Sequence, residues 1–259
     1  MDVLRFELSG KTAFFKKPDM NSYLYFTYGN IHKVALLGIF GAILGYGGYN
    51  QMKDGEAFPE FYEKLKDVKI SIEPKNKKGF INKKVQVFNN SVGYASEELG
   101  GNLIVKEQWL ENPCWNIYLL IDSEESKKIA NSILENKVVY IPYLGKNDHL
   151  ANISDVRLFN NIEEAKDFSK IDSLFLKEQF EVSLDEEDYE EDWDEEEIEN
   201  EEEDYEYEEE FKYEESLPIS LDEELNMYIL KKFEYTNINV SKCSEVLVYK
   251  IDEKNIVFY

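Results

Sequence analysis

The residues best suited to chemistry in this chain are lysines and aromatic side chains near its start. Members of this cluster that follow the first strand-like run are Lys11, Lys16, Lys17, Tyr23, Tyr25 and Tyr28. Lysines neutralise phosphates, and aromatic rings offer faces on which unstacked bases can lie. Two further residues, His32 and Lys33, occupy the start of a predicted helix, where free amides and the helix dipole favour an anion. The cluster therefore predicts a surface for single-stranded nucleic acid.

A second group of basic residues lies within the stretch KNKKGFINKK at positions 75–84. Its members Lys75, Lys77 and Lys78 extend the candidate contacts with a phosphate chain. The sequence also leaves a plainer interpretation open, in which the aromatic residues fill the core and the lysines solvate loops.

Residues suited to catalysis or metal binding are sparse. The two histidines, His32 and His149, are 117 positions apart, and neither belongs to an HExxH or HxH motif. Cys114 and Cys243 lie outside any CxxC spacing. No glycine cluster is followed by the GK[ST] of a phosphate-binding loop. The sequence therefore predicts no metal, no cofactor and a role in binding rather than catalysis.

The charge of the chain is concentrated in one segment. The net charge is -25, and residues 185–215 hold 22 Asp and Glu against one Lys. Residues 1–93 instead carry 14 Lys and Arg against 9 Asp and Glu. A strongly acidic composition normally argues against a nucleic-acid partner, but here the acidity belongs to a single run. Because such a run repels itself and buries little, we expect a solvated low-complexity loop.

A strand and a glycine-bearing helix position the first basic cluster. Residues Val3 to Leu8 alternate between apolar and polar, which predicts a half-buried strand. The apolar run that follows predicts a helix from Ile31 to Gly45 that carries Gly38, Gly41 and Gly45 on one face. A glycine inside a helix costs about 1 kcal/mol relative to alanine. This face is therefore expected to approach another backbone closely, either within the protein or along a phosphate chain.

The remaining elements complete an α/β order. The predicted strands are residues 67–73, 83–90, 103–110, 114–121 and Val138–Gly145, with a helix at 123–136 before the last of them. Strand, helix, strands, helix, strand is the βαββαβ order of a ferredoxin-like (RRM-like) domain, which we assign to residues 1–155. Residues 156–259 are predicted to be β-rich, interrupted by the acidic run and closed by a hairpin that turns at Asp252–Asn255.

One uncharged run, Val34–Met52, is a candidate for a membrane span. Its strongly apolar part is shorter than the ~20 residues that a span requires. We therefore expect a buried helix in a cytoplasmic protein with no membrane contact.

Three stretches of residues 1–155 resemble one known protein family. They read RFELSGKTAFFKKPDMNSYLYFTYGNIHKVALLGIFGAILG (residues 5–45), VKEQWLENPCWNIYLLID (105–122) and YIPYLGKNDHLANI (140–153). In these stretches the chain is similar to the RAMP-type subunit of type I-B CRISPR surveillance complexes, which belongs to the fifth Cas family.

The resemblance implies a function and a set of partners. Subunits of this family hold the 5′ handle of the guide RNA without cutting it, which implies that the lysines and aromatics above contact RNA. It also implies a thumb at about residues 88–103, an insertion that presses against the guide. The implied partners are the backbone and large subunits of the complex, with target DNA contacted only indirectly.

Two other functions stay open. In the related type I-C branch the corresponding subunit is a metal-independent endoribonuclease that cuts repeat RNA, and His32, Tyr28 and Lys33 would then supply the general acid and base. The chain would otherwise be a protein-binding scaffold that uses its acidic run. That run departs from the usual pattern of the family and leaves the C-terminal third weakly matched.

Overall fold

The computed structural model describes residues 1–18, 23–183 and 209–259. Its α-helices are α1 (Lys33–Leu44), α2 (Glu60–Leu65) and α3 (Glu124–Leu134). Its strands in chain order are β1 (Asp2–Ser9), β2 (Thr12–Ala13), β3 (Ile70–Pro74), β4 (Lys83–Asn89), β5 (Ile104–Glu111), β6 (Cys114–Ile121), β7 (Asn152–Phe159), β8 (Glu163–Glu164), β9 (Phe175–Leu176), β10 (Phe180–Val182), β11 (Lys212–Leu221), β12 (Tyr228–Thr236), β13 (Val240–Lys242), β14 (Val248–Ile251) and β15 (Lys254–Val257).

The centre of the fold is a four-stranded antiparallel sheet in the order β3-β6-β1-β7. Helix α1 lies between β1 and β3 in the chain, and α3 lies between β6 and β7. The β4–β5 hairpin is inserted between β3 and β6. The expectation of a mixed α/β protein is confirmed, with sheets that are mostly antiparallel.

The first face of this sheet packs against the helices. Side chains Leu4, Phe6 and Leu8 of β1 are buried there, and the Phe6 ring lies 6.3 Å from Phe40 of α1, edge to face. Removing these apolar side chains from water supplies the main stabilisation of the layer. Helices α1 and α3 lie where the apolar spacing predicts them, within two residues at each end.

The second face of the sheet is also covered. Val3 and Tyr118 pack against Tyr249 of the β14–β15 hairpin. That hairpin is the predicted one, and its turn residues Asp252 and Glu253 both have a positive φ, 51° and 64°. The prediction of a half-buried first strand is therefore wrong, because the C-terminal hairpin covers the face that the alternation leaves polar.

The segment predicted as a strand at Val138–Gly145 forms none. Its backbone ends α1 instead: Val139 N donates to Ile43 O and Tyr140 N to Ala42 O, each at 3.0 Å. Carbonyls in the last turn of a helix lack an intrahelical donor, so outside amides satisfy them; Ala42 O also accepts from the cap residue Gly45 N at 3.3 Å. The fourth strand of the sheet is β7, which pairs with β1.

A second small sheet stands beside the first, in the order β2-β5-β4. The strands β4 and β5 form a long hairpin, and residues 90–103 connect its ends. Several apolar side chains of the hairpin are exposed; they are Val85, Val87, Val92, Tyr94, Leu99, Leu103 and Ile104. The region that the family resemblance assigns to the thumb is thus the tip of an antiparallel hairpin.

The acidic run is only partly within the described residues. Residues 184–208 lie outside them, and the expectation of a solvated loop falls mainly there. The end of the run differs from that expectation, because Lys212–Glu215 form the start of β11 and pair with β12. Tyr213 is buried against the main core, which gives this stretch apolar burial.

The N-terminal and C-terminal portions share one core. Leu174, Leu217 and Phe233 are buried in the same cluster as Phe6 and Phe40. The proposed boundary between residues 155 and 156 falls inside β7. Across the described residues, no helix has both the length and the apolar character needed to cross a bilayer.

Candidate nucleic-acid interface

The basic loop, residues 11–28, folds back on itself and onto the β4–β5 hairpin. Lys16 and Thr27 form an antiparallel bridge between its two arms. Tyr25 then pairs with β5 through two backbone hydrogen bonds of 2.9 Å. The loop backbone is therefore held on both sides of residues 19–22, which lie outside the described part of the chain.

Lysines and tyrosines are paired on the exposed side of this loop. The Lys16 Nζ lies 3.8 Å from the centroid of the Tyr25 ring. The Lys106 Nζ lies at the same distance from the Tyr23 ring and donates a hydrogen bond to its hydroxyl, which lowers the pKa of Tyr23. Tyr23 is 73% exposed. Each ammonium group thus lies over a tyrosine ring, and this surface combines the cations and aromatic rings with which proteins commonly bind single-stranded nucleic acid.

Two of the predicted contact residues, Tyr28 and His32, lie in the core instead, with exposures of 2% and 3%. Their rings are 5.2 Å apart, and Tyr228 lies 5.3 Å from His32. The His32 Nδ1 accepts a hydrogen bond from Ala35 N, so the side chain caps α1. Burial lowers the pKa of His32 to about 3, which keeps the ring neutral at physiological pH. Both side chains are therefore packed in the core, and the edge of His32 also lines the floor of the groove described below.

Lys17 is committed to a partner inside the protein. Its Nζ lies 3.1 Å from Oε1 of Glu215, which is largely buried. Both oxygens of Glu215 also accept from Gly29 N, at 3.0 and 2.9 Å, and Tyr213 donates to Oε2. The Glu215 carboxylate therefore connects the end of the basic loop to β11, and the ion pair with Lys17 stabilises this connection.

The remaining predicted lysines are not gathered beside Lys16. Lys33 opens α1, where burial lowers its pKa and the nearby Asp67 carboxylate partly opposes that effect. The carbonyl of Lys11 accepts from Asn112 N at 2.9 Å, which places Lys11 near the base of the β4–β5 hairpin.

The second basic group also lies at the base of the hairpin. Lys75 pairs with Glu7 and Lys78 with Glu209, each at 2.5 Å. A cleft of about 480 Å³ there is lined by Asn76, Lys77, Lys78, Phe80, Asn82, Glu111 and Asn112. The lysines that the sequence predicts as one RNA-binding set therefore lie at two separate places, the basic loop and the base of the β4–β5 hairpin.

A groove of about 930 Å³ runs between the basic loop, α1 and the segment that ends α1. Lys16 and Phe14 of the loop line one side. The other walls carry tyrosines and one further lysine, which are Tyr46, Tyr49, Tyr140, Tyr143 and Lys146. The groove thus joins the exposed lysine of the loop to a set of aromatic side chains.

The glycines on α1 have three different roles. A Cβ on Gly38 would meet no atom within 4 Å, so this position opens to the groove and permits close approach. A Cβ on Gly41 would lie 2.5 Å from Phe61 Cβ, so Gly41 allows α2 to pack on α1. Gly45 ends the helix with a φ of 80°, a conformation that glycine adopts without strain. The predicted close approach is thus made within the protein at Gly41 and left open at Gly38.

The tyrosines of the groove are the residues that sequence reasoning missed. Tyr140 is 60% exposed, Tyr49 and Tyr143 are about half exposed, and burial raises the pKa of Tyr49 to about 12. Lys146 Nζ lies 3.3 Å from Oε1 of the buried Glu107. A signal was present, because Pro142 within the run Val138–Gly145 argues against an internal strand and favours an exposed connection.

The outer face of the central sheet is not available to a ligand. An antiparallel sheet can present stacking residues to RNA, as it does in RRM domains. Here Arg5 on that face bonds to Asp155 and Asp252, and Glu73 accepts from Asn116 and Lys254. The accessible basic and aromatic surface is therefore the loop and the groove.

The side chains typical of acid–base or metal chemistry are buried or apart. His149 is 1% exposed, hydrogen-bonded to Thr12 and packed on Trp109 with 4.6 Å between ring centroids. Within residues 1–18, 23–183 and 209–259, no three His, Cys, Asp or Glu side chains are grouped as a metal ion would need. The geometry of the site is suited to binding through charge and stacking.

No protein-family model and no curated protein matches this chain. Solved structures do match its fold. One is a chain described as a CRISPR RNA-guided surveillance complex, with a TM-score of 0.53 at 10% identity over 93% of this chain and 91% of that one. Another is a CRISPR protein from Archaeoglobus fulgidus, with a TM-score of 0.48 at 10% identity over 99% and 98%. The chain therefore shares, over nearly its whole length, the fold of a protein from an RNA-guided surveillance complex.

Proposed function

We propose that this chain is an RNA-binding subunit of a CRISPR surveillance complex. In this proposal it is a RAMP-superfamily protein of the fifth Cas family, of type I-B, and residues 1–155 are its ferredoxin-like (RRM-like) part. It holds the 5′ handle of the guide RNA. The full-length match in fold to a chain from an RNA-guided complex supports the general role.

The observation that carries the handle-binding role is the groove beside the basic loop. Lys16 offers a charge for phosphate, Tyr140 and Tyr143 offer exposed rings, and Gly38 leaves room for a backbone to approach α1. Charge and ring faces along one track are the common means of binding single-stranded nucleic acid. In the proposal the handle follows this groove.

The β4–β5 hairpin is assigned to the guide and to neighbouring subunits. Its exposed apolar side chains, among them Val87, Tyr94 and Leu99, form a surface of the type that protein interfaces cover. The tip at residues 88–103 would then press on the guide, while the strands contact the backbone and large subunits. Target DNA is reached only through the assembled complex.

A binding role is favoured over cleavage by the burial of both histidines. His32 is neutral and caps α1, and His149 lies under Trp109. A general base or acid must reach the proton that it transfers. The burial of both histidines therefore speaks against the endoribonuclease alternative, and we propose that the subunit is non-catalytic.

The test is a binding assay with the full chain and a labelled RNA that carries the repeat-derived 5′ handle, with and without co-purified partner subunits. We expect specific binding of intact RNA, and Lys16→Ala should weaken it while Lys170→Ala, an exposed lysine elsewhere, should not. Specific cutting of the repeat RNA without metal would favour the enzyme. Equal affinity for handle RNA and for an unrelated sequence in the assembled complex would contradict handle recognition.

A further inference from the structure

A second cleft, at the base of the β4–β5 hairpin, is built differently from the groove. It has a volume of about 480 Å³ and is lined by three asparagines, two lysines, Phe80 and Glu111. We call it the asparagine cleft. A carboxylate, a lysine and an exposed ring together match the edge, the phosphate and the face of a nucleotide, whereas the Asn76 amide already bonds to Cys114 N and Asn112 O.

The turn that carries the cleft lysines is held firmly by the core. Asn30 is fully buried, donates to Gly79 O at 3.1 Å and accepts from Trp115 Nε1 at 2.9 Å. Lys78 and Gly79 both have a positive φ, and a Cβ on Gly79 would lie 2.8 Å from Tyr235. The conformation of this turn is thus imposed by its surroundings, which is expected of a site that must present side chains in fixed positions.

The charge around the cleft favours an anionic polymer. Residues 75–84 include five lysines and no acidic residue. Lys75, Lys78 and Lys84 each pair with a carboxylate, whereas Lys77 and Lys83 form no ion pair with any described residue. Within the described part of the chain, these two lysines thus keep charges that can neutralise phosphates.

A ring and a carboxylate supply the remaining contacts. Phe80 is 60% exposed, although its ring also rests 5.1 Å from Tyr213. Lys84 Nζ lies 3.3 Å from Oε1 of Glu111, and a carboxylate has a second oxygen that accepts hydrogen bonds. An acceptor of this kind selects a base edge that carries an amino group, as Glu and Asp do with cytosine.

We propose that the asparagine cleft binds one nucleotide of single-stranded RNA and prefers a base with an exocyclic amino group over uracil. In this arrangement the base stacks on Phe80, Glu111 accepts from its amino group, and Lys77 contacts the adjoining phosphate. The proposal rests on the RNA-binding role above, but it concerns a site separate from the groove.

The test measures competition against a labelled single-stranded RNA bound to the full chain. Oligo(C) and oligo(U) of one length are matched competitors, because cytosine and uracil differ at the 4-amino group and the neighbouring ring nitrogen. We expect oligo(C) to compete about tenfold more strongly. Phe80→Ala should weaken both about tenfold through lost stacking. Glu111→Gln should bring the ratio of the two competitors towards one.

Control variants separate this inference from the proposed function. Leu225→Ala removes an exposed apolar side chain elsewhere and should change neither competitor, and circular dichroism should show that each variant is folded. If Lys16→Ala weakens RNA binding while Phe80→Ala and Glu111→Gln leave affinity and ratio unchanged, the cleft proposal is overturned and the groove stands. If the cleft variants lose partner proteins but keep RNA, the cleft is a protein contact and the proposal is wrong. If the wild-type chain binds no RNA, alone or assembled, both proposals fall.

Discussion

Arg5 in the first strand and Asp252 in the last turn form an ion pair, with 3.2 Å between Nη1 and Oδ2, although 247 positions separate them. Arg5 also bonds to Asp155 on β7 and is itself buried. The ion pair therefore holds the C-terminal hairpin against the central sheet that contains β1. This contact closes the face of the sheet on which RNA would otherwise be sought.

We expect Arg5→Ala to lower the free energy of unfolding by about 1.5–3 kcal/mol, the range for hydrogen bonds to charged groups. Both carboxylates are nearly half exposed, so water can solvate them again and the loss stays below that of a fully buried pair. Denaturant unfolding measures it. Arg157→Ala is the matched control, because Arg157 contacts the same carboxylates from an exposed position and should cost less than ~1 kcal/mol. Equal losses in the two variants would contradict the fastening role of Arg5.

Two glycines on one helix should respond oppositely to alanine. Gly41→Ala places a methyl group against Phe61 and should destabilise the protein by about 1–3 kcal/mol. Gly38→Ala meets open space and should stabilise α1 by up to ~1 kcal/mol. Thermal unfolding of the pair provides the measurement. A stabilising Gly41→Ala would show that α2 does not pack on α1 as described.

The buried His32 should make stability depend on pH. Its pKa is about 3 in the folded protein against 6.5 for the ordinary group, because burial disfavours the charged ring. The unfolded chain therefore binds a proton between these values while the folded protein does not, and stability falls as the pH drops below about 6.5.

His32→Asn keeps a good helix cap and removes the titrating ring. Between pH 6.5 and 5 the free energy of unfolding of the wild type should fall more steeply than that of the variant, by up to ~1.4 kcal/mol per pH unit. His149 contributes in the same direction in both proteins, since burial lowers its pKa as well. Parallel pH profiles for the two proteins would mean that His32 is accessible to protons in the folded state.

Neighbouring lysines of the basic loop should have different effects. Lys16→Ala should weaken RNA binding and reduce the slope of log affinity against log salt by about 0.7, the value for one phosphate on a single strand. Lys17→Ala should leave that slope nearly unchanged and lower stability, because Lys17 pairs with Glu215. Binding in a salt series, combined with unfolding of both variants, decides the assignment. If only Lys17→Ala lowered the slope, Lys17 and not Lys16 would be the phosphate contact.

The end of the acidic run should be required for folding, whereas its larger part should not. Replacing residues 185–208 with a Gly/Ser linker of equal length removes a self-repelling run and should preserve thermal stability. Extending the replacement through Glu215 removes the buried Tyr213 and the carboxylate on Gly29, and it should lower the melting temperature clearly. Equal stability of the two replacements would contradict the role of β11.

Local patterns in the sequence were sufficient for several elements. The alternation at β1, the apolar run of α1 and the turn between β14 and β15 each lie where the residues predict them. These elements depend on side-chain periodicity and turn chemistry, which act over a few residues. The segment Val138–Gly145 was misassigned because its β-branched and aromatic residues suit a strand, while its actual contacts are with the end of α1, about 100 positions away.

The composition of the candidate site was determined by the sequence alone: lysines and tyrosines after the first strand, in a part of the chain with positive charge. Only the tertiary structure decided which of them face outward. Lys16 and Lys17 are neighbours of one residue type, yet one lies over an exposed ring and the other is bound to Glu215. The physical reason is that exposure and ion pairing depend on what distant segments bring alongside, and β11 and the segment after α3 reach this loop only when the chain folds.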